Sequence, residues 1–134
     1  MSTSAGTPKD LRYTRTHEWV RIEGETAYVG ITDYAQEALG DIVFVELPPL
    51  EESFRKEEEV GTVESVKAAS PIFAPAGGTI VEVNNELEQT PELLNQKPWD
   101  SFIYALRLDD PEELSDLLDR EAYERHVEED KAAH

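Results

Sequence analysis

Six short β-prone stretches, each bounded by a turn signal, constrain this chain more than any other feature. Residues 26–31, 42–47, 60–66, 72–74, 79–83 and 103–108 are rich in β-branched and aromatic residues. Pro48-Pro49 stops the second, Pro75 the fourth, and Gly77-Gly78 introduces the fifth. Short strands at close intervals, without intervening 10–15-residue helices, predict an all-β sandwich or barrel rather than a βαβ fold. Helical signals are few. Asp33 as N-cap, Gln36 as its capping-box partner and Gly40 as a stop predict a helix over 33–39. Thr90-Pro91 opens a short turn. Asp110 and Pro111 open a C-terminal helix that sets Leu114, Leu117 and Leu118 on one face, and a second helical segment near 120–129 aligns Tyr123 with Val127. Residues 1–10 are small and polar and are expected to be flexible; residues 11–134 make one domain.

Composition removes several function classes. The chain has no cysteine, hence no disulfide framework and no thiolate nucleophile. A net charge of −18 argues against nucleic acid and anionic membrane as partners, because phosphate binding draws on Lys and Arg. No apolar run approaches a membrane span, and the N-terminus has no apolar leader, so a cytoplasmic location is expected. His17, His126 and His134 are widely spaced with no i, i+4 pair of histidines, which argues against a metal site. Neither a nucleophile elbow nor a phosphate-cradling loop is present, so no catalytic residues are assigned. The segment 109–134 concentrates eleven acids against three bases, as a solvated helical face or a docking surface.

Lys67 stands apart. There are five lysines against thirty carboxylates, yet Lys67 lies between Val66 and the pair Ala68-Ala69, at the junction of two strand-like stretches. A lysine at a hairpin tip among small neighbours is open to an approaching enzyme, as a covalent attachment site must be. A plain surface turn is the other reading. The segment Ala74–Thr79 repeats the pattern of strand, tight turn, strand.

The run Gly61-Thr62-Val63-Glu64-Ser65-Val66-Lys67-Ala68-Ala69-Ser70 resembles the lipoyl-attachment motif of the H protein of the glycine cleavage system. His17-Glu18-Trp19-Val20, Gly30-Ile31-Thr32-Asp33-Tyr34-Ala35-Gln36, the run from Leu39 to Pro48, and Glu121-Ala122-Tyr123-Glu124 are similar to that family in the same order. Biotinyl domains flank their lysine with methionine, and lipoyl domains of 2-oxo acid dehydrogenases place aspartate before it. Here the only methionine is Met1, and Val66 precedes the lysine. The resemblance implies a lipoyl/biotinyl-type two-sheet sandwich (a barrel-sandwich hybrid). It further implies a carrier rather than an enzyme, with lipoate joined as an amide to Lys67 by a lipoate ligase or lipoyl transferase. Such a carrier takes the aminomethyl group of glycine from a pyridoxal-phosphate glycine decarboxylase to a tetrahydrofolate-dependent aminomethyltransferase. A dihydrolipoamide dehydrogenase with FAD and NAD then reoxidises it.

The same resemblance gives roles to other residues. Glu64 and Gly78 match positions tied to lipoylation recognition, although Glu64 also reads as an exposed strand residue and Gly78 as a turn glycine needing φ > 0. Glu18 matches a segment near the cleft that shelters the aminomethyl cargo; beside a core tryptophan it also reads as a solvent-facing carboxylate. Four departures from the family pattern stand out: Glu51 and Glu57 where many members have glycine, Pro71 for a common aspartate, and Phe102-Ile103 for a common Gly-Trp.

Overall fold

The computed structural model describes residues 7–133. The expectation of a flexible N-terminus falls largely on residues 1–6, outside the described part. Within residues 7–10, the Pro8 carbonyl accepts a hydrogen bond from the Tyr13 hydroxyl.

Among the described residues nine strands form: β1 (Arg12–Tyr13), β2 (Glu18–Glu23), β3 (Thr26–Ile31), β4 (Ile42–Glu46), β5 (Ser53–Phe54), β6 (Glu59–Ser65), β7 (Ala69–Phe73), β8 (Gly78–Val83) and β9 (Tyr104–Leu108). They build a six-stranded sheet in the order β1-β2-β3-β9-β8-β5 and a three-stranded sheet in the order β4-β6-β7. Every pairing is antiparallel. Val29, Ile80 and Leu106 from the large sheet and Val45, Val63 and Ile72 from the small one share one buried cluster, so the main core lies between the two sheets. The expected two-sheet sandwich is the observed architecture.

β2 lacks the alternation that identifies a half-buried strand, because its first half is covered on both faces. Val20 points into the sandwich, while Trp19 joins Leu11, Tyr13 and Tyr123 in a second cluster beneath the C-terminal helix α4 (Arg120–Ala133). Gly30 faces Trp19 across the strand pair, and a Cβ there would stand 2.5 Å from the indole. Trp19 is a core residue, as its setting in the sequence suggests.

The helix expectations need correction in detail. The helix α1 (Asp33–Leu39) is capped by Thr32, whose hydroxyl accepts from the Ala35 N–H at 3.2 Å; Asp33 is its first residue and accepts from the Gln36 side chain instead. The segment Pro111–Asp116 is 3₁₀ rather than α, although Asp110 caps it as expected. It ends in extended backbone at Leu117, so the leucines do not form one face. Leu114 and Leu117 reach the main core, and Leu118 the second cluster. α4 runs past the expected end at 129 and stacks Tyr123 on Tyr13 at 4.6 Å between ring centroids. Two four-residue helices, α2 (Glu86–Gln89) and α3 (Leu93–Gln96), close the end of the sandwich.

The apparent kinship of the segment 74–79 with the Lys67 turn does not hold. β6 and β7 are hydrogen-bonded partners joined by an exposed turn, whereas β7 and β8 lie in different sheets, and the Ala74–Gly77 link between them is buried.

Glu51 and Glu57, where the resemblance leads one to expect glycine, have φ of 69° and 71°. A β-carbon is unfavourable in this left-handed region by about 1–2 kcal/mol, partly offset by the larger chain entropy that glycine loses on folding. Glu51→Gly and Glu57→Gly should therefore each stabilise the fold by up to about 1 kcal/mol. Chemical denaturation would check this; a loss of stability in both would refute the strain.

Candidate functional site

β6 is the central strand of the small sheet, held by β4 on one side and β7 on the other. At its end, Ser65 organises the turn. The Ser65 N–H donates to the Ala68 carbonyl at 2.7 Å, and the Ser65 hydroxyl oxygen accepts from the Lys67 and Ala68 N–H groups at 3.3 and 3.1 Å. Val66 N–H donates to the Asp41 carbonyl at 3.0 Å, which ties the tip to the start of β4. Lys67 is exposed at this tip, between exposed Val66 and Ala68. Its Cε passes 3.8 Å from where a Cβ on Gly40 would lie, so the side chain leans over the C-terminal end of α1. Gly40 has φ of 83° and its N–H returns to the Gln36 carbonyl, a left-handed stop that favours glycine.

Near the hairpin, β4 exposes apolar side chains where a strand interior was expected. A register shift between Ile42 and Phe44 bulges β4, and both Val43 and Phe44 turn outward, 53% and 51% exposed. Val66, the residue before Lys67, is 70% exposed as well. Glu64, also exposed, pairs with Phe44 and with Ala69, and so stands on the sheet leading into the hairpin. Pro71 lies on β7, an edge strand, where its missing N–H leaves no ladder bond unmade.

Gly78 sits elsewhere. It opens β8, between Phe54 and Leu108, beyond the far end of β7 from Lys67. Its φ is not in the left-handed region, so the turn-glycine reading fails. A Cβ at Gly78 would stand 2.2 Å from the Arg107 carbonyl oxygen, and close backbone approach is the reason for glycine there.

Glu18 is buried at 2% exposure, not solvent-facing. It shares the inward face of β2 with Val20, at the end of the sandwich where the sheets meet. Its carboxylate accepts from the Thr14 hydroxyl, from the Thr16 hydroxyl at 2.6 Å and from the Phe73 N–H of the opposite sheet at 3.2 Å. Burial raises its pKa, and these three donors oppose the rise. Glu18 lines a cavity of about 280 Å³ with Thr16, Phe73, Pro75, Lys56 and Asp116. Lys56 Nζ donates to Asp116 at 2.8 Å on the rim. Lys67 does not line this cavity.

Sequence reasoning missed the threonine pair. Thr14, Thr16 and Glu18 are spaced i, i+2, i+4, which brings their side chains to one side of a tight β1–β2 connection. Nor does spacing in the sequence show that two of the histidines meet. His17 and His126 stack at 5.1 Å between ring centroids, and both imidazoles face Asp130. His134 lies outside the described residues.

Comparison with known proteins matches this architecture. The family model described as "Glycine cleavage H-protein" covers residues 11–130. This chain belongs to the glycine cleavage H-protein family. A glycine cleavage system H protein of Thermus thermophilus is 55% identical over 90% of this chain and 95% of its own length. That of Halothermothrix orenii is 49% identical over 91% and 96%. The crystal structure of a glycine cleavage system H protein from Mycobacterium marinum superposes with a TM-score of 0.81 at 35% identity, over 93% of this chain and 99% of that one. Members of the H-protein family are carrier components of the glycine cleavage system rather than catalysts, and so is this chain. Among the described residues, no helix is long and apolar enough to cross a membrane.

Proposed function

We propose that Lys67 carries lipoate and that the loaded arm delivers the aminomethyl group of glycine between the partner enzymes of the system. The observation that carries this reading is the exposed lysine at the tip of an ordered hairpin, tied down by Ser65 and Asp41 while its amine stays accessible. When bound, the lipoyl disulfide supplies redox and group-transfer chemistry that a cysteine-free chain otherwise lacks. The protein contributes the tether, and so a high local concentration of cargo at each docked partner.

Residues around the arm divide the remaining work. Glu64 and the exposed Val43, Phe44 and Val66 meet the lipoate ligase or lipoyl transferase and then the partners: glycine decarboxylase, aminomethyltransferase and dihydrolipoamide dehydrogenase. Gly78 serves lipoylation indirectly, by allowing the close approach of β8 and β9 on which the sandwich depends. Glu18 receives the cargo. α1 spans about 12 Å from Thr32, next to the Ile31 that pairs with Glu18, to Gly40 beneath Lys67. A lipoyl arm of about a dozen Å matches that span. The cargo ends in an amine, and a carboxylate at the cavity wall pairs with its cationic form while the wall excludes water. The cytoplasm, where the partner enzymes of a bacterial-type system would lie, is the proposed location.

Intact mass of the chain from a lipoate-competent host tests the central point: a species heavier by one lipoyl group is expected, and its absence overturns the reading. Glu18→Gln, once loaded, should lose aminomethyl by hydrolysis about tenfold faster, the equivalent of one weakened charge-assisted bond. The sign with pH follows from the raised pKa. In the unloaded protein the carboxyl takes up a proton at higher pH than an exposed glutamate does, so protection should fade as pH falls through that value. The glutamine chain should lack this pH dependence. Equal lifetimes for the two chains across pH would remove Glu18 from the role.

A further inference from the structure

We propose that His17, His126 and Asp130 form a site for one divalent transition-metal ion of the zinc type, clamping the C-terminal helix to the β1–β2 connection. Three features support it. First, the donor atoms converge: one from each residue, all within 4.8 Å of one another. His17 Nε2 lies 2.6 Å and His126 Nε2 3.6 Å from Asp130 Oδ2. Ligand atoms on a tetrahedral ion at about 2.0–2.1 Å stand about 3.3 Å apart, so shifts of about 1 Å open the site. Two imidazoles and a carboxylate leave a fourth position for water, a donor set suited to zinc.

Second, the outer partner of one ligand is already in place. His17 Nδ1 lies 2.9 Å from the Tyr123 hydroxyl, which lies 2.7 Å from the Thr32 hydroxyl. With a metal on Nε2, the ring proton moves to Nδ1 and is donated to Tyr123, whose own proton turns to Thr32. A metal-bound histidine characteristically makes such a second hydrogen bond, which fixes its tautomer and orientation.

Third, the elements hold the ligands in position. His126 and Asp130 are one turn apart on α4 and project from the same face. His17 is held at φ of 71°, a strained backbone for a residue with a Cβ, and is packed between Tyr34 and His126. Binding costs the 2.7 Å bond between His126 Nε2 and the Arg15 carbonyl, which is then left to water. The site is independent of the lipoyl group, although His17 adjoins Glu18.

The test uses the full chain with its lipoyl group oxidised and, in parallel, the Lys67→Arg chain, so that no dithiol competes for metal. Co²⁺ should bind one equivalent with a visible absorption band that Zn²⁺ abolishes. Zn²⁺ should raise the unfolding temperature by several degrees where excess Mg²⁺, drawn only by the acidic surface, does not. His126→Gln, which keeps a donor for the Arg15 carbonyl, and Asp130→Asn, which keeps an acceptor for His17, should each weaken binding by more than about tenfold. In the unsubstituted chain, the ring signals of His17 and His126 should shift together on Zn²⁺ titration. Absence of a saturable equivalent, binding unchanged in both variants, or shifts confined to His134 would overturn the site.

Discussion

Lys67→Arg should give a folded protein that carries no lipoyl group and supports no glycine–bicarbonate exchange with the decarboxylase. The substitution keeps the positive charge at the hairpin tip and touches no buried contact, since the side chain only leans over Gly40. The turn is made by backbone groups and the Ser65 hydroxyl, so its geometry should survive. Guanidinium is not acylated in place of the amine, so the loss should be complete rather than partial. Intact mass and circular dichroism settle both halves. A lipoyl-sized increment on the arginine chain would show that another lysine is the acceptor. Exchange activity without the increment would favour an unmodified interaction module over a carrier.

The second large effect is expected at Gly78, beyond the opposite end of β7 from the hairpin tip. A Cβ there would meet the Arg107 carbonyl oxygen at 2.2 Å and Leu106 Cγ at 2.9 Å. The carbonyl belongs to the backbone of a paired strand and cannot rotate away. Gly78→Ala should therefore destabilise the sandwich by about 1–3 kcal/mol, the usual cost of overpacking, and lower the melting temperature by about 5 °C or more. The lipoylated fraction should fall only as the folded fraction falls. An unchanged melting temperature would refute the steric account. A fully folded chain that resists lipoylation would mean that the ligase reads Gly78 directly.

The contrast between Lys67 and Gly78 marks the reach of sequence reading. Lys67 was legible because its setting is local: two strand-like stretches, a short polar turn and small flanking residues all lie within a few positions. Gly78 was legible as a required glycine but not for the right reason, because its constraint comes from Arg107, 29 positions away in the chain (107 − 78). β2 escaped notice for a similar reason. Alternation fails when α4 covers one face of a strand and the second sheet covers the other, and neither cover is visible from residues 18–23. The outward turn of Val43 and Phe44 depends on a bulge that appears only when β4 is paired with β6.

The site divides in the same way. Glu18 could be singled out and its threonine donors are local, but its burial and the cavity it lines depend on the small sheet bringing Phe73 against β2. His17 and His126 looked unrelated at a separation that α4 closes by packing Tyr123 on Tyr13. By itself, the sequence determined the number and type of most strands, the acidic surface and the lysine hairpin, because propensity, charge and turn chemistry are short-range properties. Only the tertiary structure decided which buried carboxylate faces a cavity, which glycine is a point of close approach, and which histidines meet. Those outcomes depend on contacts between segments that chain topology, rather than local preference, brings together.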